Sequence, residues 1–151
     1  MKTITNRLYA KFPRNKIVFS GVAMLNIVLM LSLNSCAQQQ RVSFTTSTVV
    51  PAAEGRVTLK SDKNKNYVVE LKVSNLADVS RLDPPRNVYV AWMETERGQV
   101  RNLGRVITSR NLNASLETVT TDKPRRIFIT AENDENIQFP GNMLVLTTDD
   151  F

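Results

Sequence analysis

Histidine is absent from this chain of 151 residues, cysteine occurs once, and glycine occurs only five times. Without histidine, the chain lacks the commonest general base and the commonest metal ligand. The single cysteine, Cys36, excludes an internal disulfide, so the fold must be held together by packing alone. The glycines are too scattered to form a phosphate-binding loop, and no serine lies in a nucleophile-elbow pattern. We therefore expect a protein that is not an enzyme and has neither a cofactor nor a metal site.

Acidic residues are missing from the first 35 positions, which nevertheless hold five of the 20 Lys and Arg residues. The basic segment ends at Lys16, and an apolar run of 17 residues follows from Ile17 to Leu33. A basic head, an apolar middle and a small residue at the end predict a helical secretory signal peptide over residues 1–35. The length of the run also reaches the lower limit for a membrane-spanning helix, so an uncleaved anchor is the alternative.

The end of the apolar run carries the sequence Leu33-Asn34-Ser35-Cys36. This resembles the lipobox of bacterial lipoproteins, although Asn34 stands where Ala, Ser or Thr is usual. The resemblance implies cleavage before Cys36 and acylation of that cysteine, and two or three acyl chains would give stable membrane anchoring. The alternative is an ordinary buried cysteine at the end of an apolar helix.

Residues 36–40 are then a lipidated cysteine and a short polar tether that ends in three glutamines. Ala37 follows the cysteine, where an Asp can retain lipoproteins in the inner membrane of some Gram-negative bacteria. We therefore expect an exported lipoprotein of the outer membrane, facing the periplasm.

The charge of +6 for the whole chain comes mostly from the predicted signal peptide, residues 1–35, here called the leader. From Cys36 onward there are 15 Lys and Arg against 14 Asp and Glu, which leaves a net charge of +1. Nucleic-acid binding requires concentrated positive charge, so nucleic acid is excluded as a partner. The partners expected are the membrane, through Cys36, and an unknown envelope protein or glycan, with the domain itself monomeric.

Alternation of apolar and polar residues predicts strands throughout residues 41–151. The predicted strands lie at 41–50, 56–60, 67–74, 87–94, 99–108, 125–132 and 143–148, with one further irregular strand within 109–124. Pro84 and Pro85 exclude regular sheet between residues 75 and 86. The segment 87–94 is apolar on both faces, which indicates a central strand. Trp92 lies on it and is interpreted as a core packing residue, with ligand stacking as the alternative.

This pattern predicts an all-β fold, a single immunoglobulin-like antiparallel β-sandwich of about seven or eight strands. Residues 55–148 also resemble the extracytoplasmic β-sandwich domain of anti-sigma-K factor proteins and a group of uncharacterised bacterial lipoproteins. The residues that carry the resemblance are Tyr89, Trp92, Gly98, Leu103, Gly104, Thr130, Glu132, Pro140 and Gly141. Sigma-factor binding does not carry over, because only sixteen residues precede the apolar run where that family has a cytoplasmic domain.

Contact residues on a sandwich usually lie in its end loops. The candidate loops are Asp83–Arg86, Thr95–Gln99 and Glu132–Gly141, and the candidate residues are Asp83, Arg86, Glu94, Glu96, Glu132, Asp134 and Glu135. Glu94 and Glu96 could flank a glycosidase cleft, and residues 132–136 could offer oxygen ligands to calcium, but solvated turns are the preferred interpretation of both. The sequence thus favours a lipid-anchored, non-catalytic binding or scaffolding module. The alternatives are a sensory or accessory domain of an extracytoplasmic regulatory system and an unrecognised periplasmic hydrolase.

Overall fold

A computed structural model describes residues 39–151, and this part of the chain is built from antiparallel strands. The strands are β1 (Gln39–Ser43), β2 (Glu54–Ser61), β3 (Tyr67–Ser74), β4 (Val88–Thr95), β5 (Val100–Thr108), β6 (Ala114–Thr120), β7 (Pro124–Glu132) and β8 (Leu144–Thr147). The only helical element described is a single 3-10 turn, Val79–Arg81. The all-β prediction is confirmed. The predictions of a signal peptide over residues 1–35, a cleavage motif and a lipidated Cys36 lie outside the described residues.

The eight strands form one sheet in the order β1-β2-β3-β6-β5-β4-β7-β8. The sheet curls on itself, because Phe44, just after β1, pairs with Thr148, just after β8. The amide of Thr45 also donates to the carbonyl of Thr147 at 2.8 Å. Strand β5 pairs with β4 over most of its length and with β6 only at Ile107 and Thr108. This arrangement agrees with the predicted β-sandwich.

The main core is formed by the inward faces of the strands. In a strand, alternate side chains point to the same face, so Tyr89, Ala91 and Met93 of β4 face the core together. Their partners on β7, which include Ile127 and Ile129, are also fully buried. Each large side chain buried in this way contributes about 1.5–3 kcal/mol relative to its exposed state.

Strand β4 is buried on its other face as well, as its apolar composition predicted. Val88, Val90 and Trp92 of β4 pack with Phe128 of β7 in a separate apolar group, here called the outer cluster. The Trp92 and Phe128 rings are stacked, with centroids 6.4 Å apart. Trp92 is fully buried, as expected of a packing residue, but it lies in the outer cluster and not in the main core.

The segment that precedes β4 is irregular, as the two prolines predicted, and it is fixed by its apolar side chains. Leu76 and Leu82 are buried in the main core. The hydroxyl of Tyr89 donates to the carbonyl of Ala77 at 2.9 Å. Burial raises the pKa of Tyr89 to about 12, and the nearby carboxylate of Asp78 adds to this effect. The phenol therefore holds this segment against the sheet in its neutral form.

The N-terminal boundary of the sheet differs from the prediction. Gln39 and Gln40 were assigned to a tether, but they pair with Lys60 and Leu59 of β2. The assignment was wrong for these two residues, because backbone amides and carbonyls can pair in a sheet whatever polar side chain they carry. Strand β1 also ends at Ser43, well before the predicted end at Val50. The hydroxyl of Ser47 accepts a hydrogen bond from the amide of Val50 at 2.9 Å, which turns the chain there.

Strand β6 is regular where the sequence predicted an irregular strand. It pairs with β3 at seven successive positions, and Leu116 lies opposite Leu71. Strand β5, in contrast, contains a bulge opposite Ala91 and Trp92. Gly104 lies at this point with a φ of 115°, a conformation that residues with a side chain rarely adopt.

We predict that a chain beginning at Ala37 folds without the leader. Every residue of the main core and of the outer cluster lies between Phe44 and Phe151, so the domain contains all of its own core. Its far-ultraviolet circular dichroism should be of the β type, and the emission of Trp92 should be blue-shifted because the ring is buried. A helical spectrum, or emission like that of free tryptophan, would contradict the fold.

Candidate binding surfaces

The three predicted contact loops do not lie together. The amide of Asn87, next to the Asp83–Arg86 loop, donates to the carbonyl of Glu132 at 2.9 Å, and its side chain donates to the carbonyl of Asn133. The first and third loops are therefore neighbours. The Thr95–Gln99 loop connects β4 to β5 and lies at the opposite end of β4. The structure thus brings two of the three loops together.

Glu132 is a structural residue and not an exposed contact residue, which corrects the sequence interpretation. It is only 7% exposed and lies at the end of β7. Its carboxylate accepts hydrogen bonds from the Thr130 hydroxyl at 2.6 Å and from the Gly141 amide at 2.7 Å. The Thr130 hydroxyl in turn accepts from the indole N–H of Trp92 at 2.8 Å. This chain of hydrogen bonds satisfies the polar atoms that the outer cluster would otherwise bury unpaired.

The segment between β7 and β8 packs over the outer cluster through Ile137 and is held by hydrogen bonds to β5 and to β7. The side-chain amide of Asn102 donates to the carbonyls of Glu135 and Ile137, each at 2.9 Å. At Gly141, a Cβ atom would stand 2.6 Å from a Glu132 carboxylate oxygen, so a larger residue would force that carboxylate to move. A segment that was expected to be an open contact loop is therefore largely a fixed cover for Trp92.

The other predicted carboxylates are divided between ion pairs and open solvent. Glu94 lies within β4 and not in a turn; its side chain is 17% exposed and pairs with Arg126 and Arg125. Glu96 is exposed and pairs with Lys123. The position of Glu94 corrects its interpretation as a solvated turn carboxylate, whereas Glu96 lies exposed in the turn as expected. Such ion pairs near the surface add little stability.

Besides Glu96, four further predicted contact residues keep accessible positions. Asp83 is exposed and Arg86 is partly exposed in the loop before β4. Asp134 is exposed, and one of its carboxylate oxygens accepts from the amide of Asn136 at 2.9 Å. Glu135 is exposed and lies 3.5 Å from Arg105. Within residues 39–151, no group of three or more His, Cys, Asp or Glu side chains is placed to hold a metal ion.

A concave surface lies elsewhere, at the ends of β1, β3 and β5 and the starts of β2 and β6. This groove has a volume of about 880 Å³. Most of its polar lining carries hydroxyl or amide groups, from Ser43, Thr45, Thr46, Ser74, Ser109, Asn113 and Ser115. Glu54, Arg56 and Lys72 add charge, and Ile107, which is 69% exposed, adds an apolar surface. Sequence reasoning missed the groove because five separate segments build it and none has a distinctive motif.

The comparisons with known proteins add no family to these observations. No protein-family model matches the chain, and no curated protein matches it. Among residues 39–151, no helix has both the length and the apolar character to cross a membrane. The structure itself defines the class of protein, a domain made of one curled antiparallel sheet.

We predict that Thr130→Val destabilises the domain much more than Thr130→Ser. Valine leaves the buried indole N–H of Trp92 without its acceptor and removes one of the two donors to Glu132, which should lower the free energy of unfolding by about 2–3 kcal/mol. Serine keeps the hydroxyl and removes one methyl group, at a cost of about 0.8 kcal/mol. Urea unfolding followed by tryptophan fluorescence measures both. Equal losses for the two variants would show that the hydrogen-bond chain contributes nothing.

Proposed function

We propose that this protein is a lipid-anchored, non-catalytic binding module of the bacterial cell envelope. One observation carries the proposal: β1 begins at Gln39, only three residues after the cysteine of the lipobox-like motif. An acylated Cys36 would therefore hold the folded domain directly at the membrane surface. Two or three acyl chains are enough for stable anchoring. The proposed location is the outer membrane, on its periplasmic side.

The groove is the surface that we assign to ligand binding. Hydroxyl and amide side chains both donate and accept hydrogen bonds, so its lining suits a polar ligand such as an envelope glycan or a segment of an envelope protein. The charged side chains of Glu54, Arg56 and Lys72 can orient charged groups of that ligand. The exposed side chain of Ile107 offers an apolar contact in the same groove. These groups supply hydrogen-bonding, charged and apolar contacts, which are what a binding module requires.

The lipid anchor is tested by metabolic labelling with radioactive palmitate. Wild-type protein should be labelled, and Cys36→Ser should not, because serine lacks the thiol that would be acylated. Ser35→Ala is the matched control, since it keeps a small residue before the cleavage site and should remain labelled. Labelling of Cys36→Ser to the wild-type level would refute the anchor.

The assignment of the groove is tested by crosslinking in intact cells from a photo-reactive residue placed at Asn113. We expect a specific adduct with an envelope glycan or protein. Ser115→Trp should abolish it, because the indole would fill the groove, whereas Ser115→Ala should leave it unchanged. The same probe at Arg97, in the loop between β4 and β5, should give no such adduct. An Asn113 adduct that persists with Ser115→Trp would show that the ligand does not occupy the groove.

A further inference from the structure

A second concave surface lies on the outer face of β1, β2 and β3. This basic depression has a volume of about 280 Å³. It contains Thr58, which is only 7% exposed. Thr58 is surrounded by Gln39, the carboxylate of Glu70 and four cationic side chains. The cations are Arg41, Arg56, Lys60 and Lys72.

The register of the sheet brings these cations together. Arg56, Thr58 and Lys60 are alternate residues of β2, so their side chains share one face. On that face Arg41 of β1 lies opposite Thr58, and Lys72 of β3 lies opposite Arg56. Side chains directly opposite each other in antiparallel strands are within contact distance. The cations therefore come from three strands and from positions 31 residues apart at most.

The single carboxylate does not neutralise the depression. The Glu70 carboxylate forms ion pairs with the Nζ atoms of Lys72, at 2.5 Å, and of Lys60, at 3.4 Å. The hydrogen bond from the Lys72 ammonium, helped by Lys60, lowers the pKa of Glu70, so this carboxylate stays ionised and orients both lysines. Within residues 39–151, neither Arg41 nor Arg56 forms an ion pair. Four positive charges against one negative charge leave +3 in the depression.

This charge is local, because the chain from Cys36 onward carries a net charge of only +1. The near-neutral composition thus conceals one positive face. Interactions between exposed charges are screened beyond about 8 Å at physiological ionic strength. The depression can therefore bind only an anionic group that is held close to it.

We propose that the basic depression binds the anionic phospholipid headgroups of the membrane that carries the anchor. The proposal deepens the proposed function and rests on its lipid anchor. Gln39 lines the depression, and three residues of chain from Cys36 span at most about 11 Å. Guanidinium groups bind phosphate oxygens through paired, charge-assisted hydrogen bonds. Arg56 can supply such bonds, and so can Arg41 once a phosphate replaces the neutral side-chain amide of Gln39, which its guanidinium contacts at 3.2 Å. The depression therefore orients the anchored domain with its β1-β2-β3 face against the bilayer.

The orientation also bears on the groove, because Arg56 and Lys72 line both concave surfaces. A ligand in the groove would then be held beside the headgroups. The domain would select partners that lie at the membrane surface over those free in solution.

The test measures binding of an unacylated chain beginning at Ala37 to lipid vesicles. This chain should bind vesicles that contain about one third phosphatidylglycerol, and the binding should weaken as salt is added. It should not bind vesicles of phosphatidylcholine alone. Each basic side chain near an anionic surface contributes a factor of about five to binding. Arg41→Ser/Arg56→Ser should therefore bind about thirtyfold more weakly. Arg81→Ser/Arg97→Ser, which removes the same charge from exposed sites elsewhere, should change binding by less than about twofold.

Glu70→Gln is a variant that should strengthen vesicle binding instead of weakening it. It raises the charge of the depression to +4 and should strengthen vesicle binding by about fivefold, which loss of folding cannot mimic. Equal weakening by the two double variants, or no binding to anionic vesicles, would overturn the proposal. Inorganic phosphate that displaces the protein where chloride of equal ionic strength does not would assign the depression to free phosphate, and would overturn it as well. Because the chain carries no acyl group, these results are independent of the palmitate labelling.

Discussion

Strand β4 must be buried on both of its faces, and the rest of the structure follows from this constraint. One face, with Tyr89 and Met93, closes the main core. The other face, with Trp92, lies outside that core and needs a cover of its own. The segment between β7 and β8 supplies the cover, and the bulge at Gly104 next to Asn102 accommodates its attachment to β5.

The polar atoms buried beneath this cover need hydrogen-bond partners, and this need decides the role of several residues. A buried indole N–H needs an acceptor, the acceptor Thr130 needs a partner for its own hydrogen, and Glu132 completes the chain to the Gly141 amide. Leaving such groups unpaired costs more than the hydrogen bonds themselves contribute. Trp92, Thr130, Glu132 and Gly141 all belong to the resemblance to the anti-sigma-K factor domain. In this structure they serve folding, and the groove and the basic depression lie on other strands.

The basic depression lies on β1, β2 and β3, and the groove is lined by the ends of these strands together with parts of β5 and β6. The groove is rich in hydroxyl groups and the basic depression is rich in cations, and they share Arg56 and Lys72. With the proposed anchor at Cys36, β1 would begin only three residues from the membrane, and the face that meets the bilayer would decide what the rest of the domain can reach. Membrane contact and ligand binding would in this way depend on the same few strands.

The sequence by itself determined the strands and the central place of β4, because alternation with a period of two follows directly from strand geometry. It also contained the basic head, the apolar run and the Leu33–Cys36 motif, all of which are local signals. Only the tertiary structure decided that Glu132 is buried, that Gln39 and Gln40 pair with β2, and that Arg41, Arg56, Lys60 and Lys72 meet. These facts depend on which strands are neighbours and in which register. Pairing between distant residues leaves no periodic trace in one sequence.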